Sequence, residues 1–311
     1  MTILPRSDFM PCCSSTPPVI NIRSIPPFSP CYNQFIGCYN DIMLITVDTG
    51  GTKTLVATFN RHGKLVQSER FPTPKDPQEY IELVASTITT LSEGKELDAI
   101  SVAVPGMVRG MTAVWCPNLG WENVPVGTRL KKHFSCPIFL ENDANLAGLA
   151  ETRALAHIPD VCLYVTVSTG IGTGIIVDGK LHPGFNNSEA GHMMLEYDGR
   201  MREWEKFASG RSIKSTYGKF ARDIHDRHVW DQIADKISRG LGALIPLFNP
   251  EIIIIGGSIG TYFDRYDHSL RTHLRHYLND HLALPEIRQA IHPEEAVIYG
   301  CYYYAVDQLD A

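Results

Sequence analysis

Residues 48–54, DTGGTKT, decide the fold, because they form a glycine turn directly after the apolar, β-branched run MLITVDT at residues 43–49. A second turn, STGIGTG at residues 168–174, follows a similar run at 161–168, and a third, GGSIG at 256–260, follows four isoleucines. Such runs predict buried strands, and glycines without a Cβ let backbone amides approach a phosphate closely. A strand followed by a glycine turn, found in both halves, predicts a two-lobed α/β protein that holds a nucleotide between its lobes.

Each turn also has a purely structural interpretation when it is taken alone. The first two are compatible with ordinary hairpin turns, and the third with the end of a buried strand. Two similar turns after two similar strands argue against coincidence. The chain has no GxxxxGK[ST] motif and no GxGxxG motif that opens a helix, so it is neither a P-loop protein nor a Rossmann dinucleotide-binding protein.

An acidic triplet, Glu141-Asn142-Asp143, lies between the first two turns. It follows a short apolar run at 138–140, which predicts a strand, and precedes a predicted helix at 144–153. Asp143 therefore falls at a helix N-terminus, where a carboxylate serves either as a helix cap or as a base in a cleft. The residues alone leave both interpretations open.

Two further motifs combine side chains that suit a sugar. The PNLGW motif pairs the amide of Asn118 with the indole of Trp121, which matches the hydroxyl edges and the apolar C–H face of a sugar. The SEAGH motif places Glu189 and His192 three residues apart, although such a pair is also common as a plain hydrogen bond. A sugar site would assemble Asn118, Asn142, Asp143, Glu189 and His192, with Glu205 as a further candidate.

The composition limits the class of protein. The 311 residues suffice for two α/β domains, and the net charge of −6 argues against a general nucleic-acid or membrane surface. No apolar stretch approaches the roughly 20 residues that a membrane-spanning helix needs. The eight cysteines include no CxxC pair, so we expect reduced, structural thiols and no cysteine zinc site. These features fit a cytoplasmic enzyme that acts on small molecules.

The first 42 residues differ from the rest, since they carry seven prolines and show no helical or alternating period. They have neither the apolar region of a secretory signal nor a helix-turn-helix pattern. We expect them to be either an extension upstream of a domain that begins at Met43 or a flexible tail with a binding role. The expected domains are a small α/β domain at 43–146 and a larger one at 147–297, with a C-terminal helix at about 298–311 that packs back on the first.

Seven segments occur in a fixed order: DTGGTKT at 48–54, PNLGW at 117–121, ENDANLAGLAE at 141–151, STGIGTGIIVDGKLHPG at 168–184, EAGH at 189–192, EKFASG at 205–210 and the Gly256-Gly257 turn. In this order they resemble the ROK family (repressors, open reading frames and kinases) of the actin-like ATPase superfamily. The resemblance runs from Met43 to about Asp307. It implies a two-lobed actin-like ATPase (ribonuclease H-like) α/β fold, in which a duplicated mixed sheet is flanked by helices.

The resemblance also implies roles for individual residues. Asp143 is implied as the catalytic base of a sugar kinase, and Asp48 as a contact to Mg²⁺ through water. The implied sugar-binding residues are Asn118, Asn142, Asp143, Glu189, His192 and Glu205. The implied cofactor-binding residues, around ATP and its magnesium ion, are Asp48, Gly50, Gly51, Thr52, Lys53, Thr169, Gly170, Gly256 and Gly257.

The chain departs from the family pattern in one segment. ROK proteins usually carry a CxCGxxGC zinc loop before the position of Glu205, with the histidine of EAGH as the fourth ligand. Residues 193–204 contain no cysteine, so we expect no zinc, and the means by which His192 is held stays open.

The activity that the resemblance implies is phosphorylation of a hexose, first of all glucose, at its 6-hydroxyl by ATP, in a homodimeric enzyme. One alternative is a kinase of N-acetylmannosamine or N-acetylglucosamine, and polyphosphate is an alternative donor. A different class is a sugar-responsive regulator, for which residues 1–42 are too few and too proline-rich to form a DNA-binding domain. A sugar-binding protein without activity is disfavoured by the retained Asp143 and phosphate turns.

Overall fold

The structure, a computed structural model, describes residues 43–292 and 295–311. The expected character of residues 1–42 lies outside the described residues. The strands are β1 (Met43–Thr49), β2 (Lys53–Asn60), β3 (Leu65–Pro72), β4 (Ala99–Val104), β5 (Met107–Arg109), β6 (Thr112–Cys116), β7 (Trp121–Val124), β8 (Ile138–Asn142), β9 (Val161–Val167), β10 (Ile171–Val177), β11 (Lys180–Leu181), β12 (Met194–Tyr197), β13 (Arg200–Glu203), β14 (Ile252–Gly256) and β15 (Glu286–Gln289). The α-helices are α1 (Pro77–Ser92), α2 (Val126–Leu130), α3 (Asp143–Arg153), α4 (Glu205–Ala208), α5 (Gly210–Tyr217), α6 (Arg227–Phe248), α7 (Gly257–Gly260), α8 (Asp267–Tyr277) and α9 (Ala296–Leu309).

The first large sheet has the strand order β3-β2-β1-β4-β8. Its first three strands are antiparallel neighbours, whereas β4 and β8 join β1 in parallel. Every residue of the central strand β4 is buried, while the edge strand β3 is mostly exposed. The parallel register brings the ends of β1, β4 and β8 to the same edge of the sheet, which is where the functional side chains collect.

The second large sheet, ordered β11-β10-β9-β14-β15, repeats this arrangement. β9 and β10 form an antiparallel hairpin around the second glycine turn, as β1 and β2 do around the first. β14 then joins β9 in parallel, as β4 joins β1. The isoleucine run forms the fully buried strand β14. The duplicated mixed sheet that the sequence predicts is confirmed.

Helices α3 and α9 lie between the two large sheets. One buried cluster joins Leu44 of the first sheet, Ile254 of the second and Tyr302 of α9. Arg153 of α3 donates two hydrogen bonds to the carboxylate of Asp307 in α9, at 2.8 and 2.6 Å. The helix expected at about 298–311 therefore packs between the sheets and against β1 and β4. The expected boundary at residue 146 falls inside α3, and the division into domains stays a prediction.

Two smaller sheets flank the space between the halves. The three strands β5, β6 and β7 follow the first sheet's central strand and carry the PNLGW loop. The hairpin β12–β13 follows the EAGH motif and leads directly into α4. The segment that lacks the cysteine loop is therefore a short, regular β-hairpin.

Candidate functional site

The first glycine turn is fastened from behind by Thr73. The backbone N–H of Gly50 donates to the carbonyl of Lys53 at 3.0 Å, and Thr73 bonds both Thr52 and Gly50 through its backbone N–H and its hydroxyl. Thr52 and Lys53 remain exposed. The predicted phosphate turn thus presents its outer face to solvent while its inner face is fixed.

Lys75 joins the first glycine turn to the PNLGW loop. Its ammonium group donates to the carbonyl oxygens of Gly51 at 2.8 Å and of Asn118 at 3.1 Å. The indole N–H of Trp121 donates to the carbonyl of Lys75 at 3.0 Å. Exposed Asn118 therefore lies beside the predicted phosphate turn.

The interpretation of Trp121 as a sugar-facing ring is wrong. Its side chain is 2% exposed and packs edge-on against Tyr80, with ring centroids 4.9 Å apart. The apolar neighbourhood of the first core cluster covers the indole faces, so no face is left for a sugar. Trp115, which the sequence reasoning passed over, is exposed on β6, and its ring centroid lies 5.2 Å from that of His192.

Asp143 is the first residue of α3, and the cap of that helix is its neighbour Asn142. The side-chain oxygen of Asn142 accepts from the N–H groups of Ala144 and Asn145, at 2.8 and 3.1 Å, and its amide nitrogen donates to Gly106 at 3.0 Å. Asn142 thus fixes the start of α3 and keeps only one N–H for a ligand. The carboxylate of Asp143 is released from capping and accepts from Ala144 at 2.8 Å.

The carboxyl groups of Asp48 and Asp143 both have pKa values that are raised towards 7. Burial raises the pKa of Asp143 to about 7, the charge of Asp48 adds to this, and the hydrogen bond from Ala144 opposes it. Burial also raises the pKa of Asp48 to about 6, against the lowering effect of Arg70. A carboxyl group with a pKa near 7 is matched to accept a proton at neutral pH.

Glu141, which the sequence reasoning assigned no role, ties α3 to the loop that precedes Glu189. Its side chain is 3% exposed and accepts from the amide groups of Asn145 at 2.9 Å and Asn186 at 3.0 Å. Asn145 also donates to the backbone carbonyl of Asn186 at 2.9 Å. Because Glu141 and Asn145 are four residues apart at a helix start, their spacing was the available signal.

The second glycine turn lies against Glu205. A Cβ at Gly170 would come within 2.7 Å of the Glu205 carboxylate, so the end of this side chain lies directly against the turn. The N–H of Gly210 donates to the carbonyl of Ser168 at 2.6 Å, which joins the turn to the start of α5. Thr169 stays exposed. The structure thus brings Glu205 next to the second phosphate turn.

Glu189, His192 and Glu205 form one electrostatic cluster. Burial raises the pKa of Glu189, the charge of His192 lowers it and that of Glu205 raises it again. Burial, with smaller contributions from the charges of Asp143 and Glu189, raises the pKa of the Cys116 thiol, next to the PNLGW loop, to about 12. The predicted sugar-binding side chains therefore converge between the two large sheets.

A possible cation site lies at the edge of this cluster. Among residues 43–292 and 295–311, the one group with suitable ligand atoms is His192, Glu203 and Glu205, whose atoms lie within 4.8 Å of one another. Lys206 already contacts both carboxylates, at 3.5 Å for Glu203 and 2.9 Å for Glu205. An ammonium group in this position competes with a metal ion, and the absence of zinc stays a prediction.

The third glycine turn borders an open cavity. A Cβ at Gly257, where φ is +77°, would come within 2.6 Å of the Val167 carbonyl, so the protein's own backbone requires this glycine. A Cβ at the neighbouring Gly256 would clash with the side chain of Tyr164. The turn therefore packs β14 tightly against β9 and positions α7 beside the cavity.

This cavity, of about 400 Å³, lies between the second and third turns. Three cationic side chains line it, from Arg211, Lys214 and Arg222. Phe220 is 48% exposed within it, with the Lys214 ammonium 4.1 Å and the Arg222 guanidinium 5.0 Å from its ring centroid. The sequence reasoning missed these residues, because they are spread over α5 and the following turn without a motif.

No helix in the described part of the chain is both long and apolar enough to cross a membrane. The fold and the site together define a two-lobed kinase with the actin-like ATPase fold. The ROK family model matches residues 44–308, and the chain belongs to the ROK family. By class it is a sugar kinase.

Three similar proteins illustrate the family. A Bacillus subtilis (strain 168) protein, provisionally named a fructokinase, is 32% identical over 236 residues, which cover 70% of this chain and 77% of the relative. The ROK hexokinase from Thermus thermophilus has a TM-score of 0.74 at 28% identity, covering 86% of this chain and 99% of that one. The inorganic polyphosphate/ATP-glucomannokinase from Arthrobacter sp. strain KM has a TM-score of 0.67 at 30% identity, with the same coverage of 86% and 99%.

Proposed function

We propose that the chain transfers the terminal phosphoryl group of ATP to the 6-hydroxyl of a hexose, with glucose as the preferred acceptor. The observation that carries the proposal is the environment of Asp143. Its half-buried carboxyl group has a pKa of about 7 and lies at the start of α3, within electrostatic reach of Asp48 and Glu189. This environment supports Asp143 as the proton acceptor, next to the proposed phosphate turn and to side chains that can accept hydrogen bonds from sugar hydroxyls.

Asp143 accepts the proton of the sugar 6-hydroxyl as the hydroxyl oxygen attacks the γ-phosphorus of ATP, and the bond from that phosphorus to the ADP oxygen breaks so that ADP leaves. The N–H of Ala144 holds one carboxylate oxygen, which leaves the other for the substrate. The backbone amides of the first and second turns and the hydroxyls of Thr52 and Thr169 are available to bind phosphate oxygens. Asp48 would hold magnesium through water, because oxygen ligands suit this ion. Magnesium, when bound, neutralises phosphate charge.

The cavity beside the third turn suits the phosphate donor. Arg211, Lys214 and Arg222 offer positive charge to a polyanion, and exposed Phe220 and the lining residue Tyr262 offer aromatic surface to a base. Polyphosphate would use the charges but not the rings. The aromatic lining therefore favours ATP over polyphosphate.

The sugar site is rich in acceptors. Asn118, Asp143, Glu189, His192 and Glu205 surround the cleft, and Asn142 adds one N–H. Carboxylates bind hydroxyl donors, and a buried carboxylate left without a donor is costly. Glucose, with equatorial hydroxyls around the ring, is our first choice for such a site. The names of the similar hexokinase and glucomannokinase support this choice. Homodimer formation, implied by the resemblance, is part of the proposal.

A substrate panel with purified protein tests the proposal. Glucose, mannose, fructose, N-acetylmannosamine and N-acetylglucosamine are each combined with ATP or polyphosphate, and the phosphorylated product is identified by NMR. We expect glucose with ATP to give the highest kcat/KM and glucose 6-phosphate as product. An N-acetylhexosamine that exceeds glucose tenfold would contradict the choice of sugar. Sugar binding without turnover on any pair would favour the regulator interpretation.

A further inference from the structure

His192 has one ring nitrogen engaged by a carboxylate. The backbone N–H of His192 donates to the carbonyl of Glu189 at 3.0 Å, so the main chain is fixed in a tight turn. Its Nδ1 lies 3.0 Å from the Glu203 carboxylate, and Trp115 packs against the half-buried ring from the other half of the molecule. The side chain is thus held at a defined angle without a metal ion.

The hairpin β12–β13 places Glu203 at this point. Glu203 pairs directly with Met194, two residues after His192, and the Asp198-Gly199 turn closes the hairpin. The next residue, Trp204, is fully buried, donates through its indole N–H to Lys236 at 3.1 Å and bonds Met193 through its backbone at 2.9 Å. Glu203 therefore stands between two anchored positions.

The chemistry of this contact determines the tautomer of His192. An ionised carboxylate can only accept hydrogen bonds, and the hydrogen bond with His192 holds the pKa of Glu203 below its usual range. Nδ1 must therefore carry the proton. In a neutral imidazole the other nitrogen, Nε2, then has a free lone pair and acts as an acceptor. Within the described residues, no other hydrogen bond to the His192 ring distinguishes its two nitrogens.

We propose that Glu203 is a positioning residue that fixes His192 as the Nδ1–H tautomer, so that Nε2 accepts a hydrogen bond from a sugar hydroxyl. The inference rests on the proposed function, since it assigns His192 to the sugar site. Nε2 joins the carboxylates of Glu189 and Glu205 as a further acceptor. The site then selects a neutral sugar with a free hydroxyl facing Nε2, and it disfavours a carbonyl oxygen at that position, because two acceptors would meet.

Lys206 makes the arrangement electrostatically tolerable. Its ammonium group neutralises part of the negative charge of Glu203 and Glu205, at 3.5 and 2.9 Å. These contacts leave the Glu203 carboxylate free to accept from Nδ1. The Glu203 carboxylate, with Lys206 beside it, thus serves as the orienting partner for one ring nitrogen, the part that a bound metal ion would otherwise play.

The test compares Glu203→Ala and Glu203→Gln with the matched control Asp198→Asn in the full-length protein. Asp198 lies in the turn of the same hairpin, and in the part of the chain that the structure describes no hydrogen bond or ion pair joins it to His192, so its change removes a carboxylate but not the hydrogen bond. Long-range ¹H–¹⁵N spectra of the imidazole, assigned with His192→Gln, report the tautomer. We expect Nδ1–H in the wild type and the control, and a mixture or Nε2–H in Glu203→Ala.

Steady-state kinetics supply the second measurement. Glu203→Ala should raise the KM for glucose about tenfold, the order of one charge-assisted hydrogen bond, with kcat changed less than about threefold. Glu203→Gln should lie between it and the wild type, because the amide oxygen still accepts from Nδ1. Deoxyglucoses should identify the hydroxyl at Nε2, since the analogue that lacks it should lose its disadvantage in Glu203→Ala.

Three outcomes would overturn the inference: Nε2–H in the wild type, an unchanged KM in Glu203→Ala, or a His192 spectrum that changes when a chelator is added. The spectra need no turnover. A tautomer change without kinase activity would therefore contradict the proposed function and leave the positioning role intact. Glucose phosphorylation with an unaltered tautomer would do the reverse. If Glu203→Ala fails to fold, Glu203→Gln carries both measurements.

Discussion

The two large sheets share one topology, yet the charged side chains around their glycine turns differ: buried carboxylates lie beside the first turn, whereas Glu205 and a cavity with a cationic lining lie beside the second. The strand before the first turn contains Asp48, whereas the second hairpin has Thr166 at the corresponding pairing position. The first turn neighbours Asp143 at the start of α3. The second turn opens towards the cavity lined by Arg211 and Lys214. A duplicated framework thus provides two phosphate turns, and side chains outside the framework give each turn its task.

Under the proposed function, this difference explains how one cleft can hold two polar substrates in a fixed spatial arrangement. The acidic side suits hydroxyl donors and the proton that leaves the sugar. The basic side suits the polyphosphate chain of the donor. The transferred group would lie where the two sides meet, next to Asp143. The predictions that follow perturb one side at a time, or the contact that joins them.

The largest effect is expected for Asp143→Asn on the acidic side. The amide keeps the shape of the side chain but cannot accept the proton, so kcat should fall by about 10²–10⁴. The affinity for glucose, measured by calorimetry, should change little. Asp198→Asn serves as the control, since it makes the same chemical change at an exposed hairpin turn that has no proposed role in the site. Wild-type kcat in Asp143→Asn would refute the assignment of the base.

A substitution where α3 packs against α9, between the two large sheets, should lower the stability of the protein more than it affects either glycine turn. A Cβ at Gly300 in α9 would lie 1.9 Å from the Leu146 carbonyl in α3. Overpacking of this kind costs about 1–3 kcal/mol, so Gly300→Ala should lower Tm by several degrees. Gly242→Ala in α6 is the control, because its Cβ would meet Tyr277 at an ordinary 3.5 Å. Equal Tm values for both variants would show that the helices can separate freely.

On the basic side, Lys214→Ala should raise the KM for ATP about tenfold, as expected for the loss of one charged contact. The KM for glucose should stay within about twofold, since the acidic side is untouched. Lys219→Ala removes the same charge from a nearby exposed position that does not line the cavity. A larger change for glucose than for ATP would reverse the assignment of the two sides.

The smallest effect is expected for Lys75→Ala, which loosens the contact between the first turn and the PNLGW loop. The variant loses hydrogen bonds to the carbonyls of Gly51 and Asn118. Because both substrates border this contact, the KM values for ATP and glucose should rise together, by about threefold. Lys64→Ala, at another exposed position, should leave both constants unchanged. A change in the KM of only one substrate would contradict the proposed coupling between the PNLGW loop and the first turn.

The fold could be predicted from the sequence because its signals are local. β-Branched runs that end in glycines mark β1, β9 and β14, and the acidic triplet marks the start of α3. These patterns involve only residues that are close together in sequence, so the strands and the helix start could be predicted without tertiary information.

The parts of the site that were missed or wrong depend on long-range packing. Nothing near Trp121 in sequence shows that Tyr80 and the first core cover its ring. Glu203 and Lys206 acquire a role only because the hairpin folds back beside His192. Phe220 becomes part of a cavity only when α5 meets the third turn. Residue types at a spacing identify candidates, whereas the partner that decides each role comes from another element.

The most direct test of the central claim, that Asp143 is a base whose pKa is raised to about 7 by burial, is the pH dependence of kcat/KM for glucose, because this quantity reports the pKa of the free enzyme. A carboxyl group whose pKa is raised to about 7 is protonated below that pH and cannot accept a proton, but it is ionised above it. We therefore predict that kcat/KM falls about tenfold per unit as the pH drops below about 7 and is level above it, and that Asp143→Asn lacks this step. A wild-type profile that is flat from about pH 5 to 9, or a midpoint near the ordinary aspartate value of about 4, would contradict the account.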